Sequence, residues 1–213
     1  MTSRSYLTYR ALWPLIEWAV GREVERLRRE RGAAAHLLAV DLGCGRCPYV
    51  DLFGGMQYLG LNLDAEDAEP DAIADATALP LSNDCVDIVF CTQVIEHVPR
   101  PELILAEAHR VLRPAGELIL TAPFYWPLHE EPHDYFRFTG HGLTQLLRDG
   151  GFEVDTVRPD CGSLTQVAVS CIELLPRVAM PLVALVNLIT PALQAVSADR
   201  RSTLNHLVIG HKR

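Results

Sequence analysis

His97, within QVIEHV (93–98), and the group His129, His133, Asp134, Tyr135 and Arg137, within FYWPLHEEPHDYFRFTG (124–140), are the side chains here best suited to handling protons. An imidazole titrates close to neutral pH, so either stretch could supply a base of useful strength. Each also admits a structural reading. Glu96 and His97 could order the turn they sit in, and Arg137 could pair with Asp134 or Glu131 to clamp its own loop. His129, His133 and Asp134 together would make a metal set, but no resident metal is expected.

A third stretch, AVDLGCGRCP (39–48), is built to bind. Gly43 and Gly45 allow a tight turn and let a ligand approach the backbone without a Cβ in the way. Asp41 can accept hydrogen bonds that fix this loop, or hold the cationic amino group of an amino-acid moiety. The dinucleotide fingerprint G-x-G-x-x-G is not met, because its last glycine falls at Pro48. Two motifs mislead. Cys44 and Cys47 form a lone C-x-x-C with no second pair, and read as small packing residues of the loop. HEEPH (129–133) matches H-E-x-x-H, which binds zinc only from a helix, and Pro132 breaks a helix.

The elements that must position these residues follow from the hydrophobic rhythm. An amphipathic helix is predicted from about Tyr6 to Arg31, stopped by Gly32. HLLAV (36–40), QYLGLNL (57–63), AIADA (72–76), DIVFCTQ (87–93) and ELILTAP (117–123) read as strands, with a helix from Pro101 to Leu112 between the last two. A helix (143–149), the strand FEVDTVR (152–158) and a strand at 204–211 follow. Thr139 reads as the cap of that helix. The expected architecture is α/β, a Rossmann-like, seven-stranded, mostly parallel sheet with helices on both faces and an antiparallel last strand. One domain is expected over 1–213: an N-terminal helix (1–32), a binding half (36–123), a lid (124–140) and an apolar helical insertion (163–198).

Composition narrows the partners. The formal net charge is -8, and the basic run Arg22–Arg31 alternates with Glu23, Glu25 and Glu30, so nucleic acid is not expected. The six cysteines lack disulfide-framework spacing and no secretory signal opens the chain, which points to a cytoplasmic protein with free thiols. Val178 to Ala198 carries no charge, but Pro181, Asn187, Thr190 and Pro191 interrupt it. A buried or dimer-forming helical pair is expected there, with membrane-surface association as the alternative and a monomer or homodimer as the assembly.

VDLGCG (40–45), YLGLNLD (58–64), ADATALPLSNDCVDIVFCTQVIEHVPRPE (74–102) and RVLRPAGELILTAPF (110–124), in that order, resemble the type-11 family of class I S-adenosylmethionine-dependent methyltransferases. The resemblance implies S-adenosyl-L-methionine as cofactor. It gives Asp41, Gly43 and Gly45 the methionine part, Asp75 and Ala76 the adenine amino group, and adds Gln93 to the binding set. The ribose acid of the family aligns with Asn62, while Asp64 lies two residues on and is expected on the same strand face. A hydrogen bond to a carboxylate contributes about 1.5–3 kcal/mol against about 1 for a neutral partner, so the choice matters. The family's third glycine is Cys47 here.

The resemblance also places the Glu96–His97 pair near the methyl group and the 124–140 stretch over the acceptor. It implies a small-molecule acceptor; the uncharged segment suggests a lipid, a quinone-like ring or a lipid-linked sugar. Two other readings stay open: an NAD(P)-dependent oxidoreductase on a similar sheet, and a cofactor-binding fold without activity that serves as an interaction partner.

Overall fold

A computed structural model of the protein describes residues 3–32, 35–66 and 68–213. The first two residues of the 1–32 helical segment therefore lie outside the described residues. Helix α1 runs Tyr6–Arg31 and buries Leu12, Ile16, Ala19, Val20, Val24 and Leu27, the one-sided spacing expected of an amphipathic helix. Gly32 ends it at φ 90, and Arg28, Arg29 and Arg31 favour the negative end of the helix dipole.

Seven strands follow: β1 Leu38–Leu42, β2 Gln57–Asn62, β3 Ala72–Ile73, β4 Val86–Thr92, β5 Leu112–Pro123, β6 Phe152–Pro159 and β7 Asn205–Lys212. They form one sheet in the order β3-β2-β1-β4-β5-β7-β6. All neighbours are parallel except β7, which runs antiparallel to both β5 and β6. The chain steps outward from β1 through β2 to β3, then returns to start β4 on β1's other side. That reversal opens a crevice at the carboxyl ends of β1 and β4.

Strand alternation decides the two faces. Ala39, Ile88, Phe90, Ile119, Leu207 and Ile209 pack beneath α1. Val40, Val89, Cys91, Leu118, Leu120 and Val208 face the other way. There they meet α2 (Pro101–Val111) through Ile104, Leu105 and Ala108, and α3 (Gly140–Asp149) through Leu143 and Leu147. Thr139 caps α3, its hydroxyl accepting from the Gly142 N–H at 2.9 Å. Between β1 and β2 only a short 3₁₀ turn, Val50–Phe53, forms.

Several boundaries differ from the sequence reading. β3 stops at Ile73 rather than 76, because Asp75 accepts from both the N–H and the hydroxyl of Thr77 and turns the chain away. β2 ends at Asn62, so Asp64 does not share a strand face with it. β5 begins five residues early at Leu112, with a register shift opposite Val86–Ile88 that absorbs Pro114. The helix expected at 143–149 starts at Gly140.

The insertion between β6 and β7 consists of α4 (Ser163–Leu174) and α5 (Met180–Val196). Val169, Ile172 and Val183 join Leu7 and Leu204 in a cluster that ties the pair to the start of α1. The polar interruptions turn inward: Asn187 is fully buried and donates to the Ser3 carbonyl at 2.9 Å, and the Thr190 hydroxyl bonds the Val186 carbonyl. Leu182, Leu185, Leu188 and Leu193 face outward, each about half exposed. Among the described residues no helix is long and apolar enough to cross a membrane.

Candidate active site

Asp41 sits on β1 between Gly60 of β2 and Phe90 of β4, 2% exposed. Its Oδ2 accepts the Tyr58 hydroxyl, while Oδ1 is buried with no hydrogen-bond partner. Burial pushes the carboxyl up to about 7, with the Tyr58 hydrogen bond pulling the other way. The loop beyond turns on three left-handed residues, Gly43 (φ 69), Gly45 (φ 54) and Cys47 (φ 50). The two glycines do different work. A Cβ at Gly43 would lie 2.3 Å from Val94 Cγ2, so its absence lets the end of β4 close against the loop. A Cβ at Gly45 would meet nothing within 4 Å, so there the backbone borders open space.

Cys44 and Cys47 are free thiols that crowd Gly60, where a Cβ would lie 3.0 and 3.1 Å from their sulfurs. This fits the packing reading of the C-x-x-C.

Asn62 closes β2, half-buried, and its Nδ2 donates to the Asp64 carbonyl at 3.0 Å. Asp64 lies in the turn beyond, exposed, with Oδ1 accepting the Glu66 N–H. Asp75 is exposed, and both of its bonds to Thr77 use Oδ1, holding the carboxyl below the ordinary range. Ala76 beside it packs partly on the core. Gln93 follows β4 in the left-handed region at φ 55, its amide nitrogen 3.0 Å from the Thr121 hydroxyl. A non-glycine residue held there marks backbone strain that neighbours must compensate.

Beyond Gln93 a 3₁₀ turn, Ile95–His97, carries Glu96 and His97. Glu96 is wholly buried, and neither carboxylate oxygen has a hydrogen-bond partner. Burial pushes its carboxyl above the ordinary range. The Glu96 carbonyl accepts the Tyr135 N–H at 2.9 Å, and Pro123 accepts that of Phe138, so 124–140 is stitched to the ends of β4 and β5.

That stitching brings His97 and His129 together, their ring centroids 4.7 Å apart and nearly perpendicular. His97 Nδ1 lies 2.7 Å from the His133 carbonyl. His129 donates its backbone N–H to Asp134 Oδ2 at 3.0 Å, and its Nδ1 stands 3.3 Å from the same oxygen.

Arg137 spreads its donors over both Asp134 oxygens and the carbonyls of Trp126, Pro127 and Phe136. The Asp134 side chain is 1% exposed, and the guanidinium holds its carboxyl well below the usual carboxylate range. His133 and Tyr135 are exposed and pair with each other, Nδ1 to hydroxyl at 3.0 Å.

Of the candidates, His97 and His129 converge, Asp134 and Arg137 brace them, and His133 and Tyr135 line the outer side. The sequence reading gives Glu96 a place near the methyl group by resemblance, or a role in ordering its turn, but nothing in EHV reveals that both of its oxygens are sealed from water.

Residues 40–120 match the type-11 methyltransferase domain family. A malonyl-[acyl-carrier protein] O-methyltransferase of Hahella chejuensis is 31% identical over 168 residues, 71% of this chain and 55% of that protein. A probable S-adenosylmethionine-dependent methyltransferase of Mycolicibacterium smegmatis is 29% identical over 133 residues, 54% of this chain and 52% of that one. The solved structure of phosphoethanolamine N-methyltransferase 2 of Haemonchus contortus, in complex with S-adenosyl-L-methionine, has a similar fold, with a TM-score of 0.56 at 14% identity over 90% of this chain and 52% of that one. The chain spans between about a third and about half the length of the curated relatives it matches. Residues 40–120 are thus similar to the type-11 class I methyltransferases, whose cofactor is S-adenosyl-L-methionine.

Proposed function

We propose that the protein transfers the methyl group of S-adenosyl-L-methionine to a small molecule held beneath the 124–140 segment. The observation that carries this reading is the buried, unpartnered Asp41 Oδ1 beside the open space at Gly45, at the reversal point of the sheet. The residues fit the cofactor along its length. Asp41 would take the cationic amino group, and the Gly43–Gly45 turn the methionine chain. Asn62 would bond the ribose, since it closes β2 while Asp64 lies in the turn beyond the strand. Asp75 would accept the adenine amino group, with Ala76 and Gln93 lining the floor.

Bound there, the cofactor supplies an electrophilic methyl on a sulfonium that leaves as a neutral thioether. Much of the rate then comes from alignment of donor and acceptor, up to roughly 7–11 kcal/mol. His97 and His129 supply the imidazoles of the acceptor site, His133 and Tyr135 its outer polar edge, and the Asp134–Arg137 pair holds the segment in place. The relative named for O-methylating a malonyl group supports an oxygen acceptor.

Calorimetry with S-adenosyl-L-methionine, S-adenosylhomocysteine and NAD tests the cofactor. The first two should bind and NAD should not; binding of NAD alone would overturn the reading. Asp75→Ala should weaken both adenosyl ligands by about 10–100-fold, the loss of a charged hydrogen bond. Unchanged affinity would remove Asp75 from the site.

The outward leucines of α5 support an acceptor with a lipid or quinone-like part, met at a membrane surface. Cosedimentation with anionic liposomes should fall in a Leu185→Glu, Leu188→Glu variant. If native protein and variant stay equally in the supernatant, the acceptor is a water-borne one.

A further inference from the structure

We propose that Glu96, His97 and His129 bind one divalent transition-metal ion, held between the turn after β4 and the 124–140 segment. One ligand atom from each of the three lies within 4.8 Å of the others. The inference goes beyond the methyl-transfer reading and does not depend on it.

Glu96 carries the first part of the case. It is 0% exposed and both carboxylate oxygens lack a hydrogen-bond partner. Sealing a carboxylate from water costs several kcal/mol unless a cation or donors replace the hydration. A bound ion would replace it.

His97 carries the second part. The carbonyl of His133 can only accept, so His97 Nδ1 donates to it and the neutral ring keeps its lone pair on Nε2. That Nε2 is the atom facing carboxylates, 3.7 Å from Glu96 Oε1 and 3.8 Å from Glu130 Oε2.

His129 is held by its backbone N–H, which donates to Asp134 Oδ2 at 3.0 Å, while its ring Nδ1 makes no hydrogen bond. Asp134 stands 3.3 Å from its Nδ1, and Arg137 fixes Asp134 in turn. Histidine ligands in metal sites commonly have one ring nitrogen oriented by a carboxylate or a backbone carbonyl; His97 has the carbonyl arrangement, and Asp134 stands within ion-pair reach of the His129 ring.

The donor set selects the ion. Two imidazoles and one carboxylate suit zinc, iron(II), cobalt(II), nickel or manganese better than calcium or magnesium, which prefer all-oxygen shells. Ligand atoms at about 2.0–2.2 Å from a tetrahedral ion stand roughly 3.4 Å apart, so His97 Nε2 and Glu96 Oε1, at 3.7 Å, are nearly in place and the widest spacing closes by at most about 1.4 Å on binding. Glu130, 72% exposed on the same turn, can swing in as a fourth ligand or leave that position to an oxygen of the acceptor. An acceptor hydroxyl on the ion gives up its proton more readily.

The ligand set is distinct from the H-E-x-x-H spacing that contains two of the nearby histidines: His133 contributes its carbonyl to orient His97, not its ring to the ion.

Cobalt(II) titration of the metal-stripped protein reads the site directly through ligand-field absorption. The expected result is one ion per chain, saturating below about 100 µM, with zinc displacing it. Glu96→Gln and His129→Ala, checked for folding by circular dichroism, should each weaken binding at least tenfold, whereas His133→Ala, which keeps its backbone carbonyl, should not. No absorption up to that concentration, or an equal loss in His133→Ala, overturns the proposal. Calorimetry with S-adenosyl-L-methionine on the same samples separates the two readings: cofactor binding without cobalt binding sinks the metal site alone, and cobalt binding without cofactor binding sinks the methyl-transfer reading alone.

Discussion

Asp41→Asn is expected to weaken S-adenosyl-L-methionine binding at least tenfold and to abolish a pH dependence that the native protein shows. The reasoning starts from burial. With 2% of its surface exposed and only the Tyr58 hydroxyl on it, the carboxyl is pushed up to about 7. Below that pH the unliganded protein holds a proton on Asp41. The cofactor's ammonium group needs the carboxylate, so that proton must leave when the cofactor binds. Affinity should therefore fall by up to about tenfold for each pH unit below 7 and level off above it, until the ligand's own α-amino group deprotonates near pH 8.

Calorimetry between pH 5.5 and 7.5, in two buffers of different ionisation heat, should show up to one proton released per cofactor at the acidic end. The asparagine variant should bind with the same weak affinity throughout. A flat native profile would mean that Asp41 only braces the loop through Tyr58 and never meets the ammonium.

The raised value also acts on the fold. The native state keeps its proton to higher pH than the unfolded chain, so the unliganded protein loses stability as pH climbs from about 3.8 to 7. Cofactor binding would offset that loss, because it gives the buried carboxylate a cation. Asp41 is thus a residue whose cost to the empty protein and value to the complex have one cause.

The parts legible in the sequence were those governed by local pattern. DIVFCTQ announces a strand buried on both faces, and Val86–Thr92 is one, with every residue up to Cys91 buried. VDLGCG announces a turn that needs glycine, and Gly43 and Gly45 both have positive φ. Asp64 looked available because two-residue spacing implies a shared face, but that holds only while the strand lasts, and β2 ends at Asn62. β5 was cut short at Pro114–Gly116, where a break is the ordinary inference; instead Ala115 adopts φ 59 and the strand bulges through.

Glu96 shows the limit most clearly. Its burial depends on the Tyr135 N–H reaching its carbonyl across 39 positions of chain, and no local rule encodes that contact. For α5 the sequence showed that the helix is apolar but not which side faces out; Asn187 and Thr190 decided that by turning inward.

Arg137→Ala is expected to cut turnover about a hundredfold while leaving cofactor affinity nearly unchanged. The guanidinium bonds both Asp134 oxygens and three carbonyls of the same segment, and the Asp134 side chain is 1% exposed. Removing it strands a buried carboxylate, which costs about 3–5 kcal/mol in comparable pairs. It also frees Asp134, and with it the ring of His129. A displacement of about 1 Å at a reacting centre is enough for a loss of that size in rate. Arg137→Lys should not rescue the variant, because a single ammonium cannot make the two-pronged contact or reach the Trp126 and Pro127 carbonyls together.

A pH signature separates this clamp from a general loss of packing. Arg137 holds the Asp134 carboxyl well below its ordinary 3.8, so the pair's contribution to stability is fully present above that value and is lost progressively as pH falls from there through the depressed folded-state value. The melting temperatures of native protein and Arg137→Ala should differ most at neutral pH, with the gap narrowing only as pH falls well below 3.8, toward the depressed value of the folded state. A gap that persists into acid would assign the loss to the packing of the arginine stem. Unchanged turnover in a protein that is merely less stable would take the 124–140 segment out of the catalytic step, because that step, as proposed, needs His129 held where Asp134 puts it.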